Sequence, residues 1–288
     1  MQLDQTSFGL PERIGRHWPI YIPSKGRPNP KTAIFLKANG ITNFKIVVEP
    51  QDYARYRNNY NSYYILQLPK DDQGIWYARD FIKTYARLNH QKYHWQFDDD
   101  LNFYKRDYKK KKNIHIIPDK KYPNEFYKIL WDMEKFTDIG HCQDLHIIAF
   151  THRGFAFAQT EKLKWNHHVA SAFLLYSESE AEFRPNTIED LDLCMQILTK
   201  GYNTLTFTKY IYGNPPNNTQ PGGLTVEYYD TITKRQRKFI KDWKKYNFTL
   251  YKPKKGKVKI HNIDSTIRGY GIWSKFRQDM KLKKIVIN

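Results

Sequence analysis

Cysteine is scarce in this chain: two residues in 288, Cys142 and Cys194, lie far apart and each in an apolar segment. Neither belongs to a CxxC pair, which argues against a thiolate zinc site and fits buried, reduced thiols in a cytosolic protein. Glycine-built phosphate cradles are missing too. No GxxxxGK[ST] and no GxGxxG follows the first apolar run, so P-loop and dinucleotide readings lack the backbone N–H groups they need. No apolar run approaches the ~18 residues of a membrane-spanning helix. Met1-Gln2-Leu3-Asp4-Gln5 has neither a basic nor an apolar region, so no signal peptide is expected. Repeats and low-complexity tracts are absent from the sequence, and no break marks two independent domains. Acidic residues are outnumbered, 29 against 48 basic ones, for a net charge of +19. Such a field attracts polyanions, nucleic acid first and an anionic membrane surface second.

What is present supports a packed domain. Hydrophobic residues make up 40% of the chain and aromatics 16%, enough for a core and too much for a disordered chain. Tyrosine is the commonest aromatic, with 22 residues, and its amphipathic ring also suits a binding surface.

The chain is organised around Tyr93-His94-Trp95-Gln96-Phe97-Asp98-Asp99-Asp100-Leu101-Asn102-Phe103-Tyr104. Aromatic residues favour strands and Asp does not, so a strand ending at Phe97, a turn across the aspartates and a second short strand are expected. Three adjacent carboxylates repel one another unless protons, cations or helix N-termini offset them. A hard cation such as Mg²⁺ or Mn²⁺, shared with substrate phosphates, meets that need; a solvated acidic turn is the plainer alternative.

Before this stretch the pattern alternates. Residues 1–17 read as a lead-in. A buried strand over 18–23 ends in Ser24-Lys25-Gly26-Arg27-Pro28, a loop whose two cations meet either a diphosphate or solvent. A helix over 29–39, strands over 44–48 and 64–68, and a helix over 75–89 follow. In that last helix Arg79 falls inside the apolar stripe, where it either contacts a nucleotide or pairs with a core carboxylate. Strands alternating with helices predict a mostly parallel α/β sheet, with ligands at the carboxyl ends of its strands.

After the aspartates, Lys105 to Lys112 forms a basic run that either grips phosphates or is solvated. A helix is expected over 124–138 and strands over 146–150 and 172–176, bracketing a loop with His152, Arg153, Phe155, Phe157, Trp165, His167 and His168. Those histidines follow no recognisable metal-ligand spacing. Residues 184–202 predict a helix in which Thr187 and Asp190 resemble a capping box; the same carboxylates are also candidates for a general base. After a strand at 204–208, residues 213–223 read as a lid loop. A basic helix over 231–246 and the lysines of 252–259, interleaved with Trp243, Tyr246 and Tyr251, suit nucleic-acid backbones and exposed bases.

Several of these groups together resemble glycosyltransferases of the nucleotide-diphospho-sugar (GT-A) fold. They are Ile22-Pro23-Ser24-Lys25-Gly26-Arg27-Pro28, Glu49-Pro50, Gln73-Gly74-Ile75 with Ala78-Arg79, Phe97-Asp98-Asp99-Asp100, and Glu189-Asp190-Leu191-Asp192-Leu193 with Gly201-Tyr202. The first and third groups look most like the TET-associated glycosyltransferases, phage enzymes credited with adding sugar to hydroxymethylated pyrimidines in DNA. The likeness covers about residues 18–210.

The resemblance implies a GT-A domain over 18–212, with a nucleotide-sugar-binding half at 18–104 and an acceptor half at 105–212. A lid loop and basic C-terminal extension at 213–288 complete the chain. It implies that Pro23, Ser24, Lys25, Gly26, Arg27, Glu49, Gln73, Asp98 and Asp99 border the nucleotide, and that Arg79 contacts its base or diphosphate. Asp98 and Asp100 correspond to the DxD pair, with Asp100 the main ligand of Mn²⁺ or Mg²⁺. Asp190, or else Glu189, corresponds to the base, and His261 is a candidate third metal ligand. The implied reaction moves a hexose, with UDP-glucose the donor, to 5-hydroxymethylpyrimidine in DNA with inversion, in the cytoplasm of an infected bacterium. The alternatives are a non-catalytic DNA-binding protein and a glycosyltransferase acting on surface polysaccharide.

Overall fold

The computed structural model describes residues 17–116, 124–138, 144–156, 161–215, 225–243 and 276. Its first part is the expected alternation: β1 (Ile20–Pro23), α1 (Lys31–Ala38), β2 (Phe44–Val48), α2 (Tyr53–Arg57), β3 (Ile65–Gln67), α3 (Ile75–Leu88) and β4 (Tyr93–Phe97). A hairpin of β5 (Asn102–Asp107) and β6 (Lys112–His115) follows the aspartates. Then come α4 (Glu125–Glu134), β7 (Leu145–His152), α5 (Arg153–Ala156), β8 (Leu163–Trp165), β9 (Ala172–Tyr176), α6 (Glu189–Thr199), β10 (Asn203–Gly213) and α7 (Thr225–Asp242).

Among the described residues ten strands join one sheet in the order β3-β2-β1-β4-β9-β7-β10-β5-β6, with β8 beside β10. The parallel arrangement holds through the first four strands, where β1 pairs with β2 and β4, and β2 with β3. Beyond β4 the sheet is mixed. β9 returns antiparallel between β4 and β7, and β5 and β6 form an antiparallel hairpin beside β10.

Alternation along the strands separates two faces. Ile20 and Ile22 join a core with Ala33 and Leu36 of α1, while Tyr21 packs with Ala78, Ile82 and Ala86 of α3. On β4, Tyr93, Trp95 and Phe97 take the α1 side, which leaves His94 and Gln96, both 0% exposed, toward α3. A third cluster joins α6 to β7 and β9 and takes in Phe239, Trp243 and Phe276.

The aspartate turn is clamped by aromatics. Phe97 before it and Phe103 after it are fully buried, and Phe103 meets Phe126 at 4.6 Å and Phe150 at 5.3 Å between ring centroids. Such pairs contribute about 0.5–1.5 kcal/mol each beyond their buried area, so a rigid floor lies under the carboxylates.

Helix α6 is shorter than the sequence suggests. It starts at Glu189, with Ile188 at its cap position and no side-chain cap. The expected Thr187–Asp190 box does not form: Thr187 Oγ1 is buried without a partner. Three acids in the first turn, Glu189, Asp190 and Asp192, complement the helix dipole instead. β10 runs on to Gly213, where the lid was expected to begin; residues 216–223 of that loop, His261, Cys142 and the lysines of 252–259 lie outside the described residues. No described helix is long and apolar enough to cross a membrane.

Candidate active site

The turn after β4 is stitched to the start of α1. Thr32 Oγ1 donates to the Asp98 carbonyl at 2.6 Å, Thr32 N to the Asp99 carbonyl at 3.0 Å, and Leu101 N donates to Thr32 Oγ1 at 3.0 Å. With the backbone so fixed, the three carboxylates diverge. Asp99 turns inward: Oδ2 accepts from Ser24 Oγ at 2.6 Å and Oδ1 from Arg27 Nη1 at 2.7 Å, leaving its side chain 8% exposed. Asp98 and Asp100 stay more open, at 27% and 19%.

Each open carboxylate has a cationic neighbour. Arg79, buried as its place in the α3 stripe requires, donates Nη2 to Asp98 Oδ1 at 2.7 Å. Of the two readings of Arg79, the pairing with a carboxylate is observed, and the residue also lines the cleft. Asp100 takes Arg27 Nη1 on Oδ2 at 3.1 Å and Asn214 Nδ2 on Oδ1 at 3.3 Å. Burial, with the charges of Asp98 and Asp99, pushes the Asp100 carboxyl up to about 6 against the pull of Arg27. Asp99 is raised as well, by burial, with Arg27 and Ser24 opposing.

The loop after β1 is held from beneath. Ser24 Oγ meets Tyr56 Oη at 2.7 Å, Arg27 N donates to Tyr56 Oη at 3.0 Å and Gly26 N donates to Asp52 Oδ2 at 2.6 Å. Lys25 lies between Glu49 at 3.3 Å and Asp72 at 2.5 Å. Glu49 also accepts from Asp72 N at 3.1 Å, tying this loop to the one before α3. Gly74 starts that helix at φ +82°, ψ 175°, a conformation open in practice to glycine alone, and it brings the first turn of α3 to the cleft wall.

These elements enclose a cleft of about 210 Å³. Of the residues expected around a nucleotide, Pro23, Ser24, Lys25, Arg27, Glu49, Arg79, Asp98 and Asp99 line it, together with Asp100, Glu189 and Asn214. Gly26, Gln73 and Asp190 are not among its described lining residues. Gly26 is turned to Asp52, and the Gln73 side chain donates to its neighbour's carbonyl, Asp71 O, at 2.9 Å.

The two candidate bases have different partners. Glu189 is ion-paired with Arg235 of α7, which also donates Nε to the Thr187 carbonyl at 2.9 Å. Asp190 Oδ2 lies 3.1 Å from His168 Nε2, and its Oδ1 accepts from Leu191 N at 2.7 Å. Burial works to raise the proton affinity of Asp190, but the His168 contact and the Leu191 N–H outweigh it and hold the carboxyl below the usual range. Glu189 is pushed up by burial in spite of Arg235.

No three His, Cys, Asp or Glu side chains converge as a metal-binding group among the described residues. The donor set nonetheless suits a hard cation bound jointly with a ligand. Asp98 Oδ2 takes no hydrogen bond from the described residues, Asp100 is crowded by burial and the charges of Asp98 and Asp99, and both are oxygen donors of the kind Mg²⁺ and Mn²⁺ prefer, one or two carboxylates with phosphate and water completing the shell.

Sequence reasoning did not find His168, Arg235 or Asn214. His168 is 22 positions from Asp190 and Arg235 46 from Glu189, and no local pattern announces a pairing over such distances.

Among solved structures the chain is similar to one described as "Crystal structure of GalNAc-T7 with UDP, GalNAc and Mn2+", at 9% identity and a TM-score of 0.42, over 94% of this chain. It spans 55% of that chain's length. A comparison with curated proteins finds no match. Residues 18–223 match the family model described as "TET-Associated Glycosyltransferase", and the chain therefore belongs to the TET-associated glycosyltransferase family.

Proposed function

We propose that this glycosyltransferase has the GT-A fold and moves a hexose from a nucleoside diphosphate sugar, UDP-glucose in the first instance, to the hydroxyl of 5-hydroxymethylpyrimidine in DNA. The observation that carries the reading is the pairing of two half-open carboxylates, Asp98 and Asp100, with two arginines on one cleft. A nucleoside diphosphate is the ligand that such a mixture accommodates: its phosphates take the arginine and lysine N–H groups, and a shared cation takes the carboxylates.

In this reading Asp98 and Asp100 hold Mn²⁺ or Mg²⁺. When bound, the ion offsets charge on the departing diphosphate. The chain's own groups do the rest. Lys25 and Arg27 face the diphosphate from the loop after β1, and Arg79 fixes Asp98 from below. Asp190, kept ionised by His168, takes the proton of the acceptor hydroxyl as its oxygen forms the new bond to the anomeric carbon and the bond to the diphosphate breaks. Attack opposite the leaving group inverts the anomeric centre. Arg235 neutralises Glu189, which leaves Asp190 as the base. A base undergoing chemistry must leave a duplex stack, and the net charge of +19 favours the DNA backbone.

The test is mass spectrometry of nucleosides after the protein, UDP-glucose and Mn²⁺ are incubated with hydroxymethylated DNA. A hexose added to the modified nucleoside is expected. UDP release with no nucleoside product would move the acceptor to another class, and binding of DNA without UDP release would leave a nucleic-acid binder.

A further inference from the structure

Among the described residues outside the cleft, one cluster of basic side chains makes no ion pair with a carboxylate. Arg153 opens α5 and His115 ends β6, and both are exposed, as is Lys31 at the start of α1. Arg153 lies over the Tyr104 ring, 4.9 Å from its centroid, and donates Nη1 to Tyr104 Oη at 3.2 Å. His115 sits directly across the ladder from Tyr104 with ring centroids 4.9 Å apart. Lys31 and Arg153 both disfavour protonation of His115, adding to the effect of its partial burial, so the three groups share one positive region. None of the three pairs with a carboxylate among the described residues. Glu125 of α4 pairs with Lys105 at 3.4 Å, and Lys105 projects from the opposite face of β5 to Tyr104.

Two short links place this cluster beside the aspartates. Lys31 precedes Thr32, whose side chain and N–H hold the Asp98 and Asp99 carbonyls. Arg153 crosses the end of β10 at Gly213, where an added Cβ would meet its Cδ at 3.3 Å, and the next residue, Asn214, bonds Asp100. Yet Lys31, His115 and Arg153 do not line the donor cleft. Its own cations, Lys25, Arg27 and Arg79, are the ones placed for a donor's diphosphate.

We propose that Arg153 and His115, gathered around Tyr104, together with Lys31 in the same positive region, bind a backbone phosphate of a single-stranded or flipped-out nucleic-acid acceptor and so set its hydroxyl against the aspartate site. Arginine forks match phosphate oxygens, and the tyrosine and histidine rings offer the stacking platform that unpaired bases use. The inference rests on the nucleic-acid acceptor of the preceding reading and names the surface that receives it, on the β5–β6 side rather than on the basic C-terminal residues.

The experiment measures fluorescence anisotropy of a labelled thymidine oligonucleotide with the full chain, wild type and Lys31→Gln/Arg153→Gln, across a salt series, alongside UDP binding with Mn²⁺. The double variant is expected to bind the oligonucleotide about tenfold more weakly. Its log–log salt slope should be shallower by about 0.7, the increment for one phosphate of a single strand that is no longer neutralised. UDP affinity should not change. Gly213→Ala, which displaces Arg153 and keeps its charge, should weaken oligonucleotide binding by a smaller factor. Wild-type oligonucleotide affinity in the double variant, no oligonucleotide binding by the wild type, or a loss confined to UDP would each overturn the proposal. Absence of hexose transfer with the expected oligonucleotide result would instead sink the reading of function and leave this site standing.

Discussion

Arg79 reaches Asp98 from inside the protein: its guanidinium is buried, and its Nη2 stands 2.7 Å from a carboxylate oxygen at the cleft. Gln96 steadies it, accepting from Arg79 Nη1 at 3.3 Å and donating to the Arg79 carbonyl at 3.2 Å. Replacing Arg79 with Met removes the counter-charge and leaves Asp98 to be protonated or to turn away. Loss of a largely buried pair costs about 3–5 kcal/mol, less here because Asp98 is partly solvated. We expect about 1–3 kcal/mol lower stability by urea unfolding and at least tenfold weaker UDP binding with Mn²⁺. Unchanged UDP affinity would show that Arg79 does not position the site.

Asp99 and Asp100 are neighbours with opposite roles. Asp99 anchors Ser24 and Arg27, so Asp99→Asn should lower stability by about 2–4 kcal/mol through the broken buried pair. Asp100 adds repulsion to a crowded turn, so Asp100→Asn should leave the melting temperature level or raise it. Thermal unfolding of the two variants separates these roles; equal losses of stability would contradict the division.

His94 and His146 set a pH limit on stability. Burial, with Lys83, lowers His94 to about 3, and burial lowers His146 to about 4. Both are neutral in the fold, while an unfolded histidine titrates near 6.5. The stability they contribute is therefore complete above pH ~6.5 and is lost as pH falls toward 4, by roughly 2–3 kcal/mol for each at pH 4.5. Asp100 works the other way, because its raised proton affinity favours the fold as pH falls below about 6. Comparison of wild type with His94→Gln isolates the histidine: the variant's unfolding free energy should depend less steeply on pH between 7 and 4.5. Parallel curves would contradict this.

His168 Nε2 lies 3.1 Å from Asp190 Oδ2. If Asp190 is the base, His168→Ala should lower kcat about tenfold or more, move the acid limb of the pH–rate profile upward as the carboxyl regains protons, and leave UDP affinity unchanged. A fall in UDP affinity with an unmoved pH profile would assign His168 to donor binding.

The strand–helix alternation, the buried Arg79 and the exit of the aspartates at a strand's carboxyl end were legible because each is a local pattern of spacing and residue type. The antiparallel return of β9 between β4 and β7 was not, since register between distant strands leaves no mark on either one. The sequence also presents Asp98, Asp99 and Asp100 as equals. Only folding distinguishes them, by the alternation that turns Asp99 to Ser24 while its neighbours stay open. The helix expected from residue 184 begins at Glu189. Arg184, whose charge and length permit a helix, instead makes a two-point contact with the buried Asp192, which also accepts from Trp243 Nε1 at 2.8 Å.

Calorimetric titration of UDP into wild type and Asp100→Asn, each with and without Mn²⁺, bears most directly on the site. Binding by the wild type that requires Mn²⁺, and its loss by a factor of about 100 or more in Asp100→Asn, is the expected result. UDP binding that ignores Mn²⁺, or that survives intact in Asp100→Asn, would contradict a cation shared between these aspartates and a nucleotide.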